Sequence, residues 1–338
     1  METNSDVQEQ KETVAGQRAL PAAQMLGAYS RKAIRDYGII FAFLAVFATL
    51  SLMTPAFLTT RNMLNVLDQV SQVGLIALGA TVAIIGGGFD LSAGAIFAIA
   101  GATAAIIAAA GFVIPGLIIG ALLGLLLGAL NGAVIAGLRV NSFVATLAAG
   151  LIIRGAAYIF TDGLLVQVGD PYFAFLGRAR ILGVKMPVFF FLGFALFTWV
   201  LLSHTTLGRY IYALGGNEEA ARFSGVRVRL IRTLTFAISG LSAGIAGVIH
   251  ASRIATGQAN VGQGLELSAI AAVVIGGTSI MGGEGAVWRT LLGVLLLQLV
   301  SNGFNILNVP PFYQVMFEGC VIMFAIILDA FRHGRILR

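Results

Sequence analysis

Hydrophobic positions in this chain gather into ten long runs, at 37–54, 66–87, 91–110, 113–137, 143–161, 187–203, 231–250, 266–282, 286–303 and 313–329. Each run holds about 17–25 residues, which at 1.5 Å per helical residue matches a bilayer core of roughly 30 Å. A soluble fold would need ten successive core helices with almost no polar face. The pattern therefore predicts an all-α polytopic membrane protein with ten transmembrane helices. Residues 1–36 carry no long apolar run and read as a disordered tail. The first run begins too late for an ordinary signal peptide, so it reads as a retained anchor.

Composition agrees with this pattern. Hydrophobic residues make up 58% of the chain and charged residues 11%, with a mean hydropathy of +0.93. The 43 glycines suit helices that pack closely in lipid, where small residues take the place of a hydrophobic drive.

Charge then sets the orientation. Arg31, Lys32 and Arg35 precede the first run; Arg209, Arg222, Arg227, Arg229 and Arg232 fill the 204–232 segment; Arg332, Arg335 and Arg338 lie in the basic end, 330–338. With ten spans all three clusters fall on one side, opposite the smaller set Arg61, Arg178, Arg180, Lys185 and Arg253. The positive-inside rule makes that side, with both termini, cytoplasmic. The net charge of +6 reflects this bias rather than a nucleic-acid surface.

Two blocks recur. GGGFDLSA (86–93) returns as GQGLELSA (262–269), and LRVNSFVATLAAGLII (138–153) returns as LNVPPFYQVMFEGCVI (307–322), each of the latter following an Asn-Gly pair. By the span count each block changes sides between its copies. The expected architecture is two inverted five-helix halves, 37–161 and 187–329, an arrangement common in transporters.

Candidate chemistry lies at the breaks and within the runs. Asp90 or Ser92 can cap the third span, and Glu266 or Ser268 the eighth. Either they do no more than that near the interface, or they end broken helices that face a watery path. Arg154 sits about 10 Å inside the fifth span, with Glu318 at similar depth in the tenth. The two are expected to pair or to line the pathway together, unless Arg154 snorkels to the outer headgroups. Asn131, Asn302 and Asn305 can hydrogen-bond cargo hydroxyls or neighbouring helices. Cys320 is the lone cysteine, and His204, His250 and His333 are scattered, so neither a disulfide nor a metal cluster is expected. Neither a nucleophile–base set nor a carboxylate cluster suggests an embedded enzyme.

The 204–232 segment is the longest polar stretch after the tail. Gly215-Gly216 is expected to break the chain, and Asn217 to cap a short surface helix. Glu218 and Glu219 lie in its first turn, Arg222 follows, and Gly225 ends it.

GGGFDLSAGA, LNGAVIAGLRVNSFVATLA, TLGRYIYALGGNEEAARFSGV and ELSAIAAVVIGGTSIMGGEGAVW stand here in one order. Together they resemble the membrane permeases of ATP-driven, binding-protein-dependent monosaccharide importers of the ribose, xylose and arabinose type. GGNEEAARFSGV looks most like the arabinose members. The resemblance covers nearly everything beyond residue 37 and implies a bacterial cytoplasmic-membrane protein. It also implies a cytoplasmic ATPase carrying ATP and Mg, a periplasmic or lipid-anchored sugar-binding protein, and a second permease copy. On this likeness Asn217, Glu218, Glu219, Ala220, Ala221 and Arg222, within Gly215–Gly225, would insert into a cleft on the ATPase. The residues themselves agree that energy comes from elsewhere: Lys11, Lys32 and Lys185 all lack the preceding glycine of a phosphate-binding loop, so no cofactor is expected on this chain. The competing expectation is an ion-coupled secondary transporter using Asp90 or Glu266, which leaves the 204–232 segment unexplained.

Overall fold

The computed structural model describes residues 22–332. Thirteen helices occupy them: α1 (Ala22–Met53), α2 (Thr60–Ile85), α3 (Ala93–Ala109), α4 (Val113–Leu138), α5 (Ser142–Phe160), α6 (Pro171–Arg178), α7 (Met186–His204), α8 (Thr206–Gly216), α9 (Glu218–Phe223), α10 (Val228–Ile254), α11 (Leu265–Ile275), α12 (Val287–Ile306) and α13 (Pro311–Arg332). Among the described residues α2, α4, α5, α7, α10 and α12 are long and apolar enough to cross a membrane, and Gly38–Met53, α3 and α11 are shorter apolar helices. The protein is an all-α polytopic membrane protein.

Three expectations are corrected. Residues 22–36, expected to be part of a disordered tail, are helical and continue into the first apolar run as α1; their Ala, Met, Leu, Arg and Lys are strong helix formers that extend an already nucleated helix. Residues 1–21 and 333–338 lie outside the described residues. The eighth run, 266–282, is helical only to Ile275, because Gly276 caps it and Gly277 adopts φ +90°. Finally, the 204–232 segment holds two helices before α10, not one.

Glycine spacing explains the tightest packing. Gly116, Gly120, Gly124, Gly128 and Gly132 recur every fourth residue of α4 and are buried, whereas Leu122, Leu126 and Leu130 stay exposed on its other faces. A β-carbon on Gly124 would lie 2.5 Å from the Gly240 carbonyl oxygen and 2.7 Å from the Gly244 Cα of α10. One on Gly116 or Gly120 would lie 2.6 Å from a backbone oxygen of α3. Backbones thus touch directly, as small-residue stripes allow in lipid.

The neighbours of several helices repeat between the halves. Helix α10 of the second half lies against α3 and α4 of the first, while α2 of the first lies against α11 and α12 of the second. Likewise α5 rests on α3 and α13 on α11. Polar pairs fasten α2 into the other half: Thr81 to Thr290 at 2.7 Å, Gln72 to His250 at 3.0 Å, and Asn62 to Asn302.

At the bundle end remote from α9, residues 163–185 form a small cap. The β-hairpin Arg180–Ile181 with Val184–Lys185 turns through Leu182 and Gly183, both at positive φ. Residues Val166–Gln167 pair with Thr256–Gly257. Asp170 caps α6 by accepting from the Tyr172 N–H. A buried carboxylate overlooked in the sequence, Asp68 of α2, binds Lys185 at 2.5 Å and Arg253 at 3.3 Å. That cluster ties α2, the start of α7 and the end of α10 together.

Candidate functional site

The first break begins where Gly86 ends α2 and Gly87 turns the chain at φ +78°. The irregular stretch that follows takes its hydrogen bonds from α5. The Phe89 N–H donates to Ser142 Oγ at 3.1 Å and the Leu91 N–H to Thr146 Oγ1 at 3.0 Å, while the Thr146 hydroxyl lies 3.1 Å from the Phe89 carbonyl. Non-helical backbone is tolerated at membrane depth when its polar groups are met in this way.

Asp90 sits at the centre of a closed polar network and is 4% exposed. Its Oδ1 accepts from the Ser92 N–H at 3.0 Å and from the Ser92 hydroxyl at 2.5 Å, and its Oδ2 accepts from the Ser239 hydroxyl of α10 at 2.7 Å. Asn131 of α4 donates to Ser92 Oγ at 2.8 Å. Ser92 itself makes no side-chain cap. One carboxylate thereby joins α3, α4 and α10. Asp90, Ser92 and Asn131 are brought together; the part played by Ser239 was not legible, because α10 lies far away in sequence.

The second break runs from Ala255, at φ +57°, to Gly264, the cap of α11 at φ +80°. Arg154 donates from Nη1 to the carbonyls of Ala259, at 2.9 Å, and Val261. The guanidinium is thus spent on holding this loop. Pairing between Arg154 and Glu318 does not occur: Glu318 instead accepts from the Ser268 hydroxyl at 3.2 Å. An arginine with five donors finds loose carbonyls better suited than one distant carboxylate. Glu266 Oε1 takes the Gly264 N–H at 3.4 Å, and Oε2 is buried without a partner.

The two repeated blocks meet. Glu266 and the Gly262 carbonyl stand directly against Gly94, in the first turn of α3. From this meeting point α3 runs toward Gly247 and Ala251 near the end of α10, and α11 runs the opposite way toward the end of α2. At 1.5 Å per residue they are about 25 and 16 Å long, each short of a bilayer core. The sequence places the blocks near opposite membrane faces; instead both dip into the bundle.

Asn302 and Asn305 serve helix contacts. Asn302 exchanges amide hydrogen bonds with Asn62 at 2.9 and 3.0 Å, and Asn305 accepts from Gln314 at 3.0 Å.

In the 204–232 segment, Asn217 is extended and its Oδ1 accepts from the Ala220 N–H at 2.9 Å, capping α9. Glu218 binds Arg222 and Arg232, both at 2.8 Å. Ala221 is buried, whereas Glu219, Ala220 and Arg222 are exposed. Gly225 closes the helix at φ +82°. Phe223, overlooked in the sequence, projects beside them at 89% exposure.

Gly215 and Gly216 do not break the chain; they form the last turn of α8, and the break falls at Asn217. Gly215 is needed for close approach. A β-carbon there would run into the Ile85 carbonyl and lie 2.6 Å from the Gly283 nitrogen. The Gly283 N–H donates to the same carbonyl at 2.8 Å, and the Tyr212 hydroxyl donates to the Gly285 carbonyl at 2.9 Å. Burial pushes the Tyr212 phenol up from its ordinary value, against the pull of Arg289, which keeps it a donor. The ends of α2 and α8 and the loop after α11 form a single joint.

The family described as branched-chain amino acid transport system / permease component matches residues 62–326. The chain is 39% identical to the ribose import permease protein RbsC of Escherichia coli strain K12, over 94% of its own length and 98% of the relative's. It is 42% identical to RbsC of Bacillus subtilis strain 168, over 82% and 88%. To the L-arabinose transport system permease protein AraH of Escherichia coli strain K12 it is 38% identical, over 88% and 91%. No solved structure matches. With both helix breaks and α9 inside the matched region, the chain belongs to the family of multi-pass membrane permeases of ATP-binding-cassette monosaccharide importers.

Proposed function

We propose that this permease carries a pentose or hexose into the cytoplasm by alternating access. A separate ATPase binding ATP and Mg drives it, a sugar-binding protein feeds it, and two copies enclose the path. Helix α9 is the part that enters the ATPase, through Asn217, Glu219, Ala220, Arg222 and Phe223. Both termini and the 204–232 segment are cytoplasmic, and the 163–185 cap faces the binding protein. The chain itself binds no cofactor.

One observation carries this reading: the joint between Gly215, the end of α2 and the loop after α11. A push on α9 passes through α8 to the end of α2, which leads into the first break, and to the loop after α11, a helix whose other end meets the second. There Asp90 and Glu266 hold the junction that has to rearrange as the path opens. A sugar is neutral and rich in hydroxyls, so Ser, Asn and backbone groups suffice as passing partners, and the soluble receptor supplies selectivity.

Reconstitution with the ATPase and the binding protein tests it. A pentose or hexose should stimulate ATP hydrolysis and enter vesicles. Uptake that survives removal of the ATPase but collapses with the ion gradient would overturn it in favour of an ion-coupled carrier.

A further inference from the structure

A cavity of about 560 Å³ lies between the end of α4, α9 and the start of α10, lined by Arg139, Glu218, Arg222, Arg227, Arg229 and Arg232. Five arginines thus face one carboxylate. Glu218 is committed to Arg222 and Arg232, so Arg139, Arg227 and Arg229 have no ion-pair partner among the described residues. The buried Arg232 Nε–H has no acceptor. Arg139 adopts φ +54° as the left-handed cap of α4, a conformation uncommon for a long side chain. This volume falls in the range of small-molecule sites, and the donors suit planar, bidentate recognition of phosphate.

The occupant follows from what borders the cavity. Leu130, Val134 and Leu138 form an exposed apolar ridge along α4 that leads to Arg139 at its foot. The ridge can take an acyl chain while the arginines take a phosphate. Of the residues in the proposed ATPase contact only Arg222 lines the cavity, while Asn217, Glu219, Ala220 and Phe223 do not, so it borders that contact through one residue and lies otherwise beside it. We propose that the cavity holds the phosphate of an anionic phospholipid from the leaflet on the α9 side, and that this lipid braces α9 against α4 and α10. Basic pockets between helices on the cytoplasmic side are suited to such headgroups.

The test does not depend on sugar transport, so its failure and a failure of the transport reading are separable. The full chain is purified in mild detergent with phosphatidylglycerol and phosphatidylcholine, and retained lipid is measured by mass spectrometry. Arg139→Gln/Arg227→Gln/Arg229→Gln should lower retained phosphatidylglycerol about tenfold or more and leave phosphatidylcholine unchanged. Arg178→Gln/Arg180→Gln, at the other end of the bundle, should lose none. Matching thermal unfolding curves show that the variants are folded. Phosphatidylglycerol retention that survives the triple change overturns the proposal. So does displacement of the lipid by inorganic phosphate alone, which would assign the cavity to a free anion, or by the ATPase, which would assign it to a protein.

Discussion

Gly94 and Glu266 touch across the join between the two halves, leaving no room for a side chain on Gly94. The Glu266 carboxylate can swing away, but the Gly262 carbonyl on the same side cannot. Gly94→Ala should therefore destabilise the protein by about 1–3 kcal/mol, the usual effect of overpacking, and slow uptake. Thermal unfolding in detergent and vesicle uptake measure the two effects. An unchanged variant would show that the blocks do not meet.

Asp90 depends on donors from two helices. Ser239→Ala removes the donor to Oδ2 and leaves a buried carboxylate oxygen unmet, which costs about 1–3 kcal/mol. Asp90→Asn and Glu266→Gln keep the shape of the junction while removing its charge. Both should lower transport with expression preserved, and full uptake by both variants would remove these acids from the pathway.

Gly215 and Gly216 form a matched pair for testing the joint. A β-carbon on Gly215 meets backbone from two other elements, whereas one on Gly216 meets nothing within 4 Å. Gly215→Ala should uncouple ATP hydrolysis from uptake in the reconstituted transporter, and Gly216→Ala should behave as the parent. Equal behaviour of the two would mean that α8 transmits nothing through this contact.

The Glu218–Arg222 pair is partly exposed, with side-chain exposures of 34% and 46%, so it contributes at most about 1 kcal/mol to stability. Phe223→Ala should leave membrane insertion and unfolding temperature intact, and Glu218→Arg/Arg222→Glu, which also takes the partner from Arg232, should leave membrane insertion intact. Sugar-stimulated ATP hydrolysis should nonetheless fall at least about tenfold, as expected when an interface anchor is lost. Undiminished hydrolysis would separate α9 from the ATPase contact.

What could be read from the sequence follows the range of the forces involved. The cap at Asn217 and the end at Gly225 are local, decided within a few residues, and the structure has both. Apolar runs likewise locate helices, because lipid demands them. Hydropathy does not tell where a helix stops inside the bundle, since Gly86–Phe89 and Gly276–Gly277 bring no charged or strongly polar side chain to interrupt an apolar run. Arg154 was matched to a carboxylate because a sequence displays charges and hides carbonyls. Asp68 escaped notice because its partners lie 117 and 185 residues away. Gly215-Gly216 shows a further ambiguity: glycine looks the same whether it frees the chain or lets another backbone come near.

The stripe of five small residues on α4 also bears on how the transporter can move. Three of them, Gly124, Gly128 and Gly132, clamp a rod from one half to a rod from the other with main chain against main chain, while Gly116 and Gly120 seat α4 on α3. A subunit knitted along its own midline in this way keeps α4 and α10 fixed to each other and leaves rearrangement to the helix breaks. In the proposed two-copy assembly, the gap that opens and shuts then runs past this clamped pair, along the breaks and the neighbouring subunit, rather than between α4 and α10.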